Sequence, residues 1–295
     1  RAVLVFDILD LWPESLGGKK LQKLWPFQCW RRLRDDHLKA ADLVITECHY
    51  FQKFINAKQE KTAVVYWPKE VPEGWKMEAP ENEAPENQVP VPESQTASEN
   101  ADINVGVSTP AVIHFAYLGS INNIIDIDGI VNFLEITGKM TPVFLHVVGD
   151  GENRGLFEEK LKNKGIKAEF YGAVYEEAVK AEIFSRCMFG INMMNPGVCV
   201  GLTMKSIDYF CYGLPLVNNI PGDTWELVKQ EQIGINYRPD AALKCAQELL
   251  TLAQSDRLKE IKYKMQSLYM KLFTQEAAEN VIRERVFPLL EGGPK

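Results

Sequence analysis

Nothing in the 295 residues approaches the ~18 consecutive apolar positions that a membrane-spanning helix needs. A basic-then-apolar leader is missing too, so no secretory signal is expected. The chain opens without an initiator Met, which reads as a fragment boundary. Six cysteines (Cys29, Cys48, Cys187, Cys199, Cys211, Cys245) form no CxxC pair, and no Cys/His cluster has zinc spacing. They read as reduced core thiols of a cytoplasmic protein. No Ser-His-Asp, HExxH or P-loop signature appears. Nor does a DxD in metal-binding surroundings: Asp126-Ile-Asp128 reads as a helix opening, and no metal or cofactor is expected. Basic excess is also missing. The net charge is −7, and residues 69–102 hold nine acids against Lys69 and Lys76, which leaves the rest of the chain balanced. A nucleic-acid partner, which favours a basic face, is therefore not expected.

What is present is an alternation of short apolar runs and helical stretches. Residues 1–69 read as strand AVLVFDI, a helix around Trp30–Ala41, strand DLVITE, a helix near Tyr50–Ala57 and strand TAVVYW. Residues 110–240 give strands VIHFAYL, VFLHVV, KAEFYG, MFGINMM and LPLVNN, with helices at about Ile127–Thr137, Leu156–Lys164, Tyr175–Ser185 and Met204–Tyr212. This rhythm predicts parallel sheets covered on both faces, an α/β class with two Rossmann-type doubly wound domains. Three strands are few for such a sheet, so the first domain reads as truncated at its front. The expected units are 1–69, a flexible acidic Pro/Glu/Asn-rich linker at 70–109 containing APENEAPEN, a nucleotide-binding domain at 110–270, and a helical end at 271–295. Amphipathic helix is expected from Leu258 to Leu289 with few breaks. His114 and His146 fall inside strands and read as structural.

Ligands of open α/β sheets sit at the C-terminal ends of the strands, where Gly-rich turns and helix N-termini present amides to anions. Three turns fit: Gly119-Ser120, Gly149-Asp150-Gly151, and Gly172 followed by Ala173-Val174. The second invites a dinucleotide reading, but a third glycine is missing at Arg154 and NAD is not expected. The segment NPGVCVGLTMKSIDYFCYGLPLVNN places Thr203 as an N-cap, leaving the Met204, Lys205 and Ser206 amides for phosphate. Lys205 adds a mobile positive charge. Asp208, three residues on, shares nearly its face and suits ribose hydroxyls. The plain alternative, a Lys in solvent and an Asp favourable to the helix dipole, stays open on these residues alone.

TMKSIDYFCYGLPLV resembles the signature of glycosyltransferase family 4 and its GT-B relatives, in the subgroup that builds bacterial surface polysaccharides. YLGSINN, VVGDGENRGLFEEKL and AEFYGAV are similar to the family's successive donor-domain turns. FDILDLWPES and ADLVITECHYFQKFI are similar to segments of its acceptor-side domain. The likeness covers nearly the whole chain outside 70–109. It departs where the family has a first Glu, at Val200, in Asp rather than Glu at position 208, in the lack of basic residues after Gly119, and in the absence of an upstream His near Asp10.

The resemblance implies a GT-B fold and a retaining, metal-independent transfer of a sugar from a UDP- or GDP-linked donor. It implies donor contacts at Gly119, Ser120, Gly149, Gly151, Gly172, Val174, Thr203, Met204, Lys205, Ser206 and Asp208, with Lys205 and Asp10 as catalytic residues. The implied acceptor is a glycan or a polyprenyl-linked sugar. The basic-aromatic stretch 19–39 then reads either as a docking surface for an anionic membrane at the inner face of the cell membrane or as an ordinary amphipathic helix with a solvated basic edge. A GT-B-like binding subunit without turnover and a sugar-nucleotide epimerase are the competing expectations.

Overall fold

The computed structural model of the chain describes residues 2–15, 21–77 and 112–291. Within them the apolar runs form two wholly parallel sheets. The first has the order β1 (Val5–Ile8), β2 (Leu43–Thr46), β3 (Thr62–Val64), joined through α1 (Trp25–Leu38) and α2 (His49–Gln52). α1 begins earlier than the apolar pattern suggested, because Pro26 in its first turn has no amide to satisfy. α2 is a single short turn.

The second sheet contains β4 (Ile113–Leu118), β5 (Val143–Val148), β6 (Lys167–Gly172), β7 (Phe189–Asn192), β8 (Leu216–Asn218) and β9 (Gly234–Asn236). Their helices are α3 (Ile127–Gly138), α4 (Arg154–Asn163), α5 (Glu177–Ser185), α6 (Met204–Cys211), α7 (Asp223–Glu231) and α8 (Ala242–Ala253). The spatial order is β6-β5-β4-β7-β8-β9. The chain therefore winds outward from β4 to β6, then returns to the other side of β4. Sheets of this kind bind ligands beyond the strand ends at such a reversal, which here falls at β4 and β7.

Both faces of this sheet are covered, which explains its unbroken apolar runs. Phe115, Tyr117 and Val147 pack on one side with Phe133, Phe157 and Leu249. Ala116 and Val148 pack on the other with Phe184, Tyr209 and Met265. Tyr209 pins α6 across the reversal: its hydroxyl accepts from the Leu118 amide at 2.8 Å and lies 3.2 Å from the Ile191 carbonyl. Gly190 makes room for it, since a Cβ there would meet the Tyr209 ring at 2.7 Å.

The amphipathic run after α8 divides into α9 (Arg257–Leu272), α10 (Gln275–Arg285) and α11 (Phe287–Glu291). The break comes where Phe273 turns fully inward and Thr274 caps α10 through the Ala277 amide. α10 crosses to the first sheet, where Arg285 donates to the Thr62 carbonyl at 2.8 Å and Val281 covers Leu43 and Ala63. Residues 70–77, expected within the linker, are instead docked. The Trp75 indole donates to the Cys211 carbonyl at 2.8 Å, and Tyr269 donates to the Glu70 carbonyl at 3.0 Å. A large aromatic has enough apolar surface to offset the ordering of a short segment. The rest of the expected linker, 78–109, lies outside the described residues, as do Lys19 and Lys20. No helix among the described residues is long and apolar enough to cross a membrane.

Candidate functional site

The three Gly turns form one stitched row at the C-terminal ends of β4, β5 and β6. The Gly119 amide donates to the Val148 carbonyl at 2.9 Å, and the Gly149 amide to the Gly172 carbonyl at 2.7 Å. A Cβ on Gly149 would sit 2.0 Å from the Gly119 carbonyl oxygen, so glycine here permits backbone-to-backbone packing. Tyr117, buried beneath the first turn, donates its hydroxyl to the Ser120 carbonyl at 2.8 Å. Val174, half-buried, packs on the core below α6.

Across the reversal, Thr203 caps α6 as its sequence suggests. The expectation of three open amides needs correction. Thr203 Oγ1 accepts from the Ser206 amide at 3.2 Å, while the Ser206 hydroxyl accepts from the Thr203 amide at 3.2 Å. Ser206 closes the capping box that Glu or Gln usually closes, and only Met204 and Lys205 keep the unpaired amides of a first turn.

Lys205 also differs from expectation. Its side chain is not in solvent but 8% exposed, with Nζ 4.8 Å from the centre of the Tyr117 ring. Among the described residues its Nζ is the only buried side-chain N or O atom without a hydrogen-bond partner. Burial pulls its pKa down to about 7. A cation beneath the β4 turn, unanswered by any carboxylate, has the environment of an anion receptor.

Asp208, three residues along, is the opposite case. One carboxylate oxygen is held by Lys69 from the segment after β3 and lies 3.6 Å from Lys180 on α5. Lys180 in turn pairs with Glu177 at 2.6 Å, and Glu177 accepts from the Tyr212 hydroxyl at 2.7 Å. Lys69 and Lys180 were not anticipated. The Glu177/Lys180 spacing reads as an ordinary helical i,i+3 pair, and nothing local marks Lys69.

The strand ends of the first sheet face these loops. Asp223, at the start of α7, accepts from the His49 amide at 2.9 Å, the Tyr50 amide at 2.7 Å and the Tyr66 hydroxyl at 2.8 Å, and meets His49 Nδ1 at 2.9 Å. Burial works against this carboxylate, but the hydrogen bonds outweigh it and hold its pKa below the ordinary value. Asp10 is exposed beyond β1. It shares the strand ends with Glu47, whose pKa is pushed up to about 7 by burial and then by Asp10 and Asp7. Glu47 lines a small gap with Trp67, Thr203 and Met204, directly before the α6 N-terminus. Glu47 was also missed, although it follows strand β2 at the position where such sheets place ligands.

No family model matches the chain, and no curated protein matches it by sequence. Solved structures do match in shape. HepE of Anabaena, in complex with UDP, is 14% identical and superposes with a TM-score of 0.66 over 99% of this chain and 73% of its own. TarM of S. aureus gives 0.61 at 12% identity, over 99% of this chain and 51% of its own. The lipopolysaccharide outer core galactosyltransferase WaaB gives 0.57 at 15% identity, over 85% of this chain. This chain has the GT-B fold. It spans 63% of WaaB and about half of TarM. In this GT-B chain the expected donor turns and α6 converge on the β4/β7 reversal.

A roomy cavity lies elsewhere. It occupies about 970 Å³ between the loops after β7, β8 and β9 on one side and α1, α2 and Glu14 on the other. It reaches Val200 but neither the Gly turns nor Lys205 or Asp208. Among the described residues, no cluster of three or more His, Cys, Asp or Glu has the makings of a metal site.

Proposed function

We propose that the chain is the donor-binding part of a retaining glycosyltransferase that takes a UDP- or GDP-linked sugar and acts in polysaccharide biosynthesis. The observation that carries this reading is Lys205, a buried cation without a partner beneath the β4 turn. A nucleotide diphosphate supplies the missing counter-charge, and the Met204 and Lys205 amides add a helix N-terminus. As the sugar leaves, negative charge grows on the departing phosphate, and a fixed cation in a water-poor site stabilises it without reorganisation. HepE, which shares the fold, is known in complex with UDP.

In this reading Gly119, Ser120, Gly149 and Gly151 admit the phosphates and donor sugar. Gly172 and Val174 flank the base, and Asp208 takes the ribose once Lys69 shifts from it. Asp10 stands on the acceptor side, and the transfer uses no metal. The acceptor is a glycan or polyprenyl-linked sugar presented at an anionic cytoplasmic membrane face. Trp25 (76% exposed) and Trp30 (54%) offer the aromatic surface for that docking, with Arg32 and Lys23 beside them. Arg31 and Arg34 contribute less charge than counted, since both are tied to Glu14 at 2.5 and 2.6 Å. Co-sedimentation equal on anionic and neutral liposomes removes the membrane part.

The test of the main reading is a thermal-shift screen of UDP, GDP, ADP, CMP and their sugars, repeated with Lys205→Ala and Asp208→Ala. One nucleotide stabilises the chain, and both substitutions weaken the shift. No shift with any nucleotide rejects the reading. A second reading, a nucleotide-binding subunit without turnover, is favoured by the ion pairs that occupy Asp208 and by Val200. Binding without donor hydrolysis decides for it.

A further inference from the structure

The 970 Å³ cavity has a composition that differs from the donor site. Three acidic side chains (Glu14, Asp126, Glu226) meet three basic ones (Arg31, Lys53, Arg238) on its walls. A wall balanced in this way does not favour an anion, unlike the surroundings of Lys205. Four aromatic side chains also line it, Tyr50 and Phe54 from the first sheet's side and Trp225 and Tyr237 from the second's. Aromatic faces take up C–H surface, while carboxylates and cationic donors take up hydroxyls.

Some of these groups are already engaged and some are not. Asp126 accepts from Gly129 and from Asn219, and Arg31 holds Glu14. The Glu226 carboxylate and the Lys53 ammonium make no hydrogen bond to any described residue; Lys53 only overlies the Tyr50 ring at 5.7 Å. Two Pro-Gly turns frame the opening, Pro196-Gly197 after β7 and Pro221-Gly222 after β8. Proline fixes one dihedral of each turn, so the rim needs little ordering on binding. The volume lies within the usual span for ligand pockets, roughly 300–1,000 Å³.

We infer that this cavity binds a neutral saccharide of one to three residues, stacked on Trp225 and hydrogen-bonded by Glu226 and Lys53. Its role as the acceptor subsite rests on the glycosyltransferase reading; saccharide binding itself does not. The charge balance argues against a phosphorylated lipid headgroup in this space, so a lipid-linked acceptor presents its sugar end here.

The experiment is saturation-transfer NMR on the full chain with methyl glucoside, methyl galactoside, N-acetylglucosamine, cellobiose, lactose and glucose 1-phosphate. At least one neutral sugar receives saturation, and Trp225→Ala weakens its binding about tenfold, the worth of one aromatic face. Glu226→Gln, which keeps shape and removes only the charge, lowers affinity without changing the melting temperature. Nucleotide stabilisation persists in both variants. Absence of saturation from every neutral sugar, equal saturation in Trp225→Ala, or preference for glucose 1-phosphate overturns the inference. Loss of nucleotide stabilisation in the unsubstituted chain counts against the donor reading alone.

Discussion

Lys205 and Asp223 are both buried charges at loops after the second sheet's strands, and their surroundings are opposites. Asp223 collects two amides, a hydroxyl and an imidazole from the facing layer. Lys205 has only an aromatic face. A carboxylate saturated by fixed donors is architecture, since its satisfaction is complete before any ligand arrives. A cation left unanswered costs stability and persists where something else completes it. The contrast separates a contact that joins the two layers from the candidate ligand site.

The largest effect expected is at Lys205. Its pKa falls from an ordinary 10.5 to about 7. The penalty of burying the charge is fully present below pH 7 and fades as pH rises toward 10.5. Lys205→Met therefore stabilises the free chain at pH 6.5 by on the order of 4 kcal/mol, with the gain shrinking toward pH 10. The same substitution removes stabilisation by nucleotides. Urea titrations across this pH range check it, and a destabilised variant shows that the cation is structural.

Asp223→Ala has the opposite sign, leaving several donors without an acceptor, and costs about 3 kcal/mol. Hydrogen exchange of the His49 and Tyr50 amides accelerates with it. Hydrogen bonding to Asp223 raises the His49 pKa, while Asp223 itself is lowered. The aspartate's contribution is present above its unfolded value of 3.8 and is lost as pH falls through its folded value. The histidine's is present below 6.5 and is lost as pH rises through its folded value. The contact is thus strongest between about pH 4 and 6.5, and protection of these amides, relative to intrinsic exchange, that does not fall between pH 6 and 8 contradicts it.

Much of the fold was legible because its signals are local. Turn glycines, short apolar runs and the Thr203 cap each act within a few residues, and they marked strands β4 to β8 and the start of α6, whereas the three-residue β9 and the helix α7 before it went unread. The Asp223 contact joins residues 174 apart, and no local pattern announces it. Lys205 was misjudged for a different reason. An isolated Lys in a helix is usually solvated, and only the packing of α6 onto Tyr117 reverses that. Ser206 hid its role because Ser at the third helical position is a less common partner in a capping box. Trp75 was absorbed into an acidic run whose composition outweighed one aromatic residue.

The close approach of the two layers is tested at Gly222. Its φ is +84°, and a Cβ there would sit 2.6 Å from Tyr50 Cβ. Gly222→Ala combines backbone strain with a clash and costs about 3 kcal/mol. Gly197, at φ +99° with nothing within 4 Å, is the control. Gly197→Ala bears the strain alone, about 1 kcal/mol. Equal losses in urea unfolding show that the interface yields around the added methyl.

The smallest effect belongs to Glu47, which lies between the two extremes. It faces the α6 N-terminus yet is half-buried and then crowded by Asp10 and Asp7, and its pKa rises from 4.5 to about 7. Between these values the folded chain binds more protons than the unfolded one, so stability falls as pH rises from about 4.5 to 7. Glu47→Gln removes that loss, and after a discount for partial exposure the gain at pH 8 is about 1 kcal/mol. At pH 4 the two proteins melt together. A gain at pH 8 that Asp10→Asn reproduces in part assigns the strain to the carboxylates at the strand ends. If Glu47→Gln instead destabilises at pH 8, the charge is held by the helix N-terminus, and the gap before α6 is already an anion site occupied from within the chain.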